Sequence, residues 1–218
     1  MDKASPFVIT ISRQLGSGGA YLGQRLAFRL NALYLDHQIV FEAAKELKIP
    51  EEDVVFRDEK VTSRWHSILK SIMGSSSWFY APPPPDVLKD SELYNSESNI
   101  ITQIAKEHNA VIVGRAGYYV LRKYPRCLNV FLHADINFRQ RRVEELYHKS
   151  PQEALKMISS IDQDRALYLR QFTGQNWLDT THYHLSLDTS AVGLWKAEAI
   201  ILETLQARFN DIILEDKR

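Results

Sequence analysis

The residues of this chain best suited to chemistry are a cluster of glycines and a set of scattered arginines. Gly16, Ser17, Gly18 and Gly19, followed by Ala20 and Tyr21, separate the short apolar run Phe7 to Ile11 from a stretch with leucines at 22, 26 and 30. An apolar run, a glycine turn and leucines at four-residue spacing read as strand, loop and helix. Glycine lets a backbone approach a ligand closely, and the orphan amides and dipole at a helix start favour phosphate. Set against the phosphate-loop pattern GxxxxGK[ST], with Gly18 as its second glycine, Arg13 stands in place of the first glycine and Gly19 in place of the lysine. The turn therefore predicts phosphate binding more firmly than phosphoryl transfer. Arg13, by its position on the loop, is the candidate for the missing charge.

The other candidates follow apolar runs. Arg115, in Gly114-Arg115-Ala116-Gly117, comes just after the run Ala110 to Val113, and Asp36 with His37 comes just after Ala32 to Leu35. Ligands of open α/β sheets bind beyond the carboxyl ends of the strands, and a guanidinium fork suits phosphate or carboxylate. Arg139 and Arg142 lie three apart on one helix face while Arg141 points elsewhere. Asp162, Asp164 and Arg165 form a compact charged cluster further on. Helix capping by Asp36, and ion pairs from the arginines to Glu144 or Glu145, are the plainer explanations for these residues taken singly.

Positioning them requires a sheet. Five runs (Phe7 to Ile11, Ala32 to Leu35, Ala110 to Val113, Leu128 to Leu132, Tyr183 to Leu187) are apolar, mostly without alternation, and are separated by segments long enough for helices, which predicts a central sheet covered on both faces. Ser150-Pro151-Gln152-Glu153 carries a capping hydroxyl, proline at the first helical position and glutamate at the third, so a helix runs from there to about Gln171 and stops near Gly174. Its stripe is Ala154, Leu155, Ile158, Ile161, Arg165 and Leu169. Another helix starts near Ser190 and turns Leu194, Trp195, Ala199, Leu202 and Leu205 toward a core. The region Glu51 to Ser98 differs: a basic, helix-like first half precedes three serines, the trio Trp78, Phe79, Tyr80 and four prolines from Pro82 to Pro85, which forbid a central strand. It reads as an excursion from the sheet, either a flap, a substrate-binding subdomain or a partner surface.

The 218 residues allow one large core. Lys plus Arg and Asp plus Glu both number 27, so no global positive field marks the chain for nucleic acid polymers or an anionic membrane. The single cysteine, Cys127, excludes an internal disulfide framework and reads as a small buried hydrophobe. With no long apolar segment or targeting signal, a soluble cytoplasmic protein is the expectation.

Four stretches, residues 9–36, 111–145, 164–177 and 183–190, resemble the cytidylate-kinase-like proteins of the nucleoside monophosphate kinase group, in the right order and over most of the chain. The resemblance implies an α/β, three-layer P-loop fold with a central five-stranded parallel sheet flanked by helices and a mainly helical insertion, as one domain over 1–218. It implies a variable acceptor-side insertion at 54–97 and a lid-like region at about 142–172. By likeness, Gly16, Ser17, Gly18, Gly19, Ala20 and Tyr21 hold the donor phosphates of ATP, with Mg2+ as cofactor and Ser17 or Tyr21 as candidates for organising its shell. Arg115 and Asp36 serve the acceptor, Asp162 and Asp164 belong to the lid, and Arg13, Arg139, Arg142 and Arg165 are the catalytic cations. The implied reaction moves the γ-phosphoryl of ATP to CMP, dCMP or a related small acceptor, without a covalent protein intermediate. Partners are then small nucleotides, and a homo-oligomer is compatible with the sequence.

Two departures stand out: Gly19 for lysine, and Ala116 for the aspartate of the family's GRD-type motif. They support a second expectation, a catalytically weak nucleotide-binding or signalling protein that keeps the glycine cradle and loses transition-state stabilisation. A nicotinamide site drawn from Gly16, Gly18, Gly23 and Asp36 fails at Tyr21, where G-x-G-x-x-G needs glycine. His182 and His184 are expected to share one strand face, but no nearby cysteine or glutamate completes a zinc pattern, and His108, His133 and His148 are isolated. No metal held by protein ligands is expected.

Overall fold

A computed structural model of the chain describes residues 5–36, 40 and 91–212. The expectations for His37, for the aromatic trio, for Pro82 to Pro85 and for most of the 54–97 insertion lie outside those residues.

Five strands, β1 (Val8–Arg13), β2 (Leu33–Leu35), β3 (Ala110–Val113), β4 (Cys127–His133) and β5 (Leu185–Asp188), form one parallel sheet in the order β2-β3-β1-β4-β5. β1 is central. Val8 pairs in register with both Ala110 and Cys127, and Ile11 with both Val113 and Val130.

The non-alternating apolar runs have a direct cause. Successive β1 side chains point to opposite faces, and both faces are covered. Ile9 and Ile11 meet α1 (Gly19–Arg29) and α7 (Leu194–Arg208) through Leu22, Leu26, Ile201, Leu202 and Leu205. Val8, with Ala110, Ile112 and Cys127, meets α2 (Ser91–Glu107) through Ile100, Ile101 and Ile104. Truncating any of these buried leucines or isoleucines to alanine costs about 2–5 kcal/mol.

The remaining α-helices whose full range lies among the described residues are α3 (Gly117–Val120), α4 (Ile136–Tyr147), α5 (Pro151–Thr173) and α6 (Thr189–Val192). The predicted start of α5 is present in full: Ser150 accepts from the Glu153 amide while Glu153 accepts from the Ser150 amide, with Pro151 at N1. Gly174, at φ 71°, ends the helix. α4 and α5 form a hairpin whose apolar seam, Val143, Ala154, Ile158 and Ile161, closes on Leu15 of the glycine loop.

Several expectations change. Leu155 and Trp195 are 40% and 72% exposed instead of core-facing, each lying just off the buried stripe of its helix. The single helix from Ser190 is two, because Gly193 at φ 76°, ψ 153° separates α6 from α7. Tyr183 precedes β5 and belongs to an aromatic cluster with Tyr118, Phe131, Tyr168 and Trp177. His182 ends a 3-10 turn, Thr180–His182, and His184 lies ahead of β5, so the two histidines do not share a strand face.

Candidate phosphate-binding site

The carboxyl ends of β1, β3 and β4 bring Arg13, Gly114 and His133 to one edge of the sheet. The glycine loop leaves β1 there and enters α1 at Gly18, a left-handed N-cap at φ 87° that makes no side-chain cap; the first turn of α1 has no acidic residue. The helix start is thus open to an anion.

The loop is fixed from below and from both flanks. The Gln14 amide donates to the Leu132 carbonyl (3.0 Å), and the Ser17 hydroxyl lies 2.8 Å from the Gln14 carbonyl and 3.2 Å from that of Leu132. Thr189 of α6 donates its hydroxyl to the Ser17 carbonyl (2.9 Å). Arg139 of α4 donates Nε–H to the Leu15 carbonyl (2.9 Å) and Nη2–H to Asp162 (2.6 Å), while the other Asp162 oxygen accepts the Leu15 amide (2.8 Å). Arg165 donates to the Arg13 carbonyl at 3.0 Å.

Arg139 and Asp162 are therefore engaged with the loop backbone and with each other. Burial pushes the Asp162 carboxyl up and the Arg139 guanidinium down from their ordinary values, and the Leu15 amide and neighbouring arginines oppose this at Asp162. Asp164, two positions on, falls off that helix face. Arg142 lies 5.8 Å from the Phe138 ring and near Tyr21, away from the Arg139 network, and burial lowers its guanidinium too.

Sequence alone does not show how Arg13 is housed. A Cβ on Gly19 would stand 2.5 Å from Arg13 Cγ and 2.8 Å from Arg13 Cβ, and a Cβ on Gly114 would collide with the Arg13 guanidinium. The stem of Arg13 thus fills the space that the stem of a residue at position 19 would enter. Its head lies over Gly114, next to Arg115.

Arg115 and Ala116 both adopt left-handed backbone, at φ 51° and 52°. Such conformations cost of order 1–3 kcal/mol each in non-glycine residues and persist where the surroundings hold them. Arg115 is 7% exposed; its Nη2 pairs with Glu97 of α2, and its guanidinium lies 4.6 Å from the Tyr168 ring centroid. The Tyr168 hydroxyl, kept protonated by burial, lies 3.3 Å from Glu97 Oε2. Sequence reasoning missed Glu97 and Tyr168. The available signal was an acid at 97 on the same helix stripe as Ile100, Ile101 and Ile104, a position an unpaired carboxylate does not occupy. Asp36, half-buried at the end of β2, accepts the Val40 amide at its carbonyl (3.1 Å), one helical turn after the strand. Ala20 and Tyr21 lie in the first turn of α1, Tyr21 beneath the Arg25 guanidinium at 5.7 Å.

A five-stranded parallel sheet in this order, with a glycine loop passing from its central strand into an uncapped helix start, is a kinase-like P-loop fold. The sequence profile of the cytidylate kinase-like family matches residues 8–191, and the chain belongs to that family. A crystal structure of an uncharacterized protein from Eubacterium ventriosum ATCC 27560 shares the fold at TM-score 0.70, with 20% identity over 93% of this chain and 99% of that one. Shikimate kinase from Bacteroides thetaiotaomicron aligns at TM-score 0.48 and 15% identity over 94% and 98% of the two chains. A gluconokinase from Sinorhizobium meliloti 1021 aligns at TM-score 0.48 and 15% identity, covering 94% of each chain. A comparison with curated proteins finds no match. Among the described residues no helix is long and apolar enough to cross a membrane.

Proposed function

We propose that this protein is an ATP-dependent phosphotransferase in which Arg13 replaces the phosphate-loop lysine and CMP, dCMP or a related small monophosphate is the acceptor. The observation that carries the reading is the shared space at positions 13 and 19: glycine at 19 admits the arginine stem, and glycine at 114 admits its head. The cation is thereby kept at the cradle but anchored to β1 instead of α1. The amides of Gly16 and of Gly18 to Tyr21 donate to the phosphates of ATP, Arg13 stands between donor and acceptor sides, and Arg115, oriented by Glu97 and Tyr168, receives the acceptor's anionic group. Asp36 flanks the acceptor side. Arg139, Asp162 and Arg165 position the loop, and Arg142, beside Tyr21, faces the donor side. Residues 142–172 act as the lid region, pivoting about the Asp162 contact.

The residues fit a triphosphate, but the loop offers magnesium no exposed serine or threonine hydroxyl, because position 20 is alanine and Ser17 is fully buried with its hydroxyl turned to the Gln14 and Leu132 carbonyls, which leaves Tyr21 as the remaining candidate for its shell. Mg2+ therefore enters as the counter-ion of the nucleotide. The same observation favours a second reading, nucleotide binding with little turnover. Incubating the protein with Mg-ATP and a panel of ribo- and deoxyribonucleoside monophosphates, with binding and diphosphate formation both measured, separates the two. Turnover of CMP or dCMP supports the first, tight binding without transfer supports the second, and absence of any nucleotide or phosphate binding overturns both.

A further inference from the structure

At the opposite end of the sheet from the glycine loop, the start of β4 forms the floor of a cavity of about 360 Å3. Five of its lining residues are basic, Arg122, Lys123, His182, His184 and Arg208, and none is acidic. In a chain of zero net charge that is a strong local asymmetry. The basic groups come from three places: the segment after α3, the approach to β5 and the end of α7. Asp179 lies 3.6 Å from His182 Nε2, outside the lining.

Several of these groups are held in place. The His184 Nδ1 accepts the Asn129 amide (2.9 Å) and the His184 amide returns to the Asn129 carbonyl (2.8 Å), which fixes the ring hydrogen on Nε2. Burial and the nearby Arg208 lower the affinity of that imidazole for a second proton, so it is a neutral donor. Arg122 lies 4.2 Å from the Tyr119 ring centroid and donates to the Tyr119 carbonyl at 2.8 Å. The Tyr118 ring stacks on His182 at 5.8 Å and 18°, and its hydroxyl is hydrogen-bonded to Gln175 Oε1 (2.8 Å). The cavity thus combines cationic donors on its rim with flat aromatic walls. Its volume falls in the range of about 300–1,000 Å3 usual for small-molecule sites.

We propose that this cavity is a second ligand site, separate from the glycine cradle, and that it takes a small phosphorylated molecule whose phosphate meets Arg122, Lys123 and Arg208 while its ring or sugar lies against the half-buried Tyr119 and Tyr124. The position also gives the ligand a route to the first site. Tyr118 lies three residues after Arg115 and packs with Phe131 and Tyr183 in the cluster that includes Tyr168, the ring beneath Arg115.

The test is titration of the intact protein with inorganic pyrophosphate, observed through the imidazole 1H–15N resonances of His182 and His184. Arg122→Glu/Arg208→Glu provides the comparison; both residues are exposed, so fold is retained, and Lys123→Glu alone serves as a milder second variant. The expected result is saturable shifts of both imidazoles in the wild type, weakened at least about tenfold in the double variant and less in K123E, with shifts of the glycine-loop amides unaffected. Histidine resonances that stay still to about 10 mM pyrophosphate, or that shift equally in all three proteins, would overturn the proposal. The readout is independent of turnover, so this result and that of the nucleoside monophosphate panel stand or fall separately.

Discussion

Exchanging residues 13 and 19 tests the reading of the glycine loop most directly. In Gly19→Lys, the new Cβ stands 2.5 Å from Arg13 Cγ and 2.8 Å from Arg13 Cβ, atoms near a strand backbone that cannot swing aside as a chain end would. Overpacking of this kind costs about 1–3 kcal/mol. Replacing glycine within a helix returns roughly 0.5 kcal/mol, so the single variant loses about 0.5–2.5 kcal/mol of stability. Arg13→Gly removes the clash partner and costs about 0.5–1 kcal/mol for a glycine in a strand. The two changes must then couple: the double variant is more stable than the sum by about 1–3 kcal/mol, the size of coupling expected for residues in contact. Activity follows the same cycle. Loss of one charge-assisted phosphate contact, about 1.5–3 kcal/mol, lowers turnover of R13G about 10- to 150-fold. The double variant, with a lysine stem in the vacated space, recovers to within about tenfold of wild type. Urea denaturation of the four proteins gives the stability cycle, and initial rates of diphosphate formation give the second. Additive stabilities, within about 0.5 kcal/mol, would show that the two stems do not share space. Full ATP affinity and turnover in R13G would show that Arg13 is not the cation.

Three further outcomes follow from the same contacts. Asp162→Asn leaves Arg139 buried without its counter-charge and should lower the urea-derived stability by about 3 kcal/mol; a loss under about 1 kcal/mol would mean the loop is not held there. Glu97→Gln weakens the ion pair that orients Arg115 by about 1 kcal/mol, so the acceptor KM rises roughly fivefold while that of ATP changes less than twofold, and equal changes in both would place Arg115 elsewhere in the reaction. Burial pushes the Cys127 thiol up to about 12, so at pH 8 almost none is thiolate and alkylation should proceed only as fast as the protein opens. Rapid native-state labelling would contradict that burial.

Much of this architecture could be read from sequence because its signals are local. Coverage of the sheet on both faces writes the inner strands as mainly apolar runs, and the Ser150–Glu153 box and Gly174 fix the ends of α5 by local chemistry. What escaped depends on residues far apart in the chain. Arg139 could be placed on the correct face, opposite to Arg141, but its partners are Leu15 and Asp162. The Glu97–Arg115–Tyr168 set joins helices that no motif links. Trp195 was misplaced because a large aromatic at helical spacing reads as core, whereas here its ring lies on the surface, 4.9 Å from the Arg25 guanidinium. The two-residue spacing of His182 and His184 predicts one strand face, whereas the pair forms part of one cavity wall.

The two departures from the family pattern have a common physical consequence. An arginine at 13 in this conformation requires glycine at 19 for its stem and glycine at 114 for its head, so substitutions at 13, 19 and 114 are coupled. Gly114 then begins a run of three left-handed residues, at φ 90°, 51° and 52°, which turns Arg115 onto Glu97 and presses Ala116 into the aromatic cluster at 4% exposure. An aspartate at 116 would bury its charge beside Tyr118, Phe131 and Tyr168, at a cost of several kcal/mol unless paired. Alanine at 116 is thus compatible with the same backbone that makes room for Arg13. In the proposed reading, the missing lysine and the missing aspartate belong to one rearranged edge of the sheet, in which Arg13 is fixed to the central strand and Arg115 is held from behind by Glu97 and Tyr168.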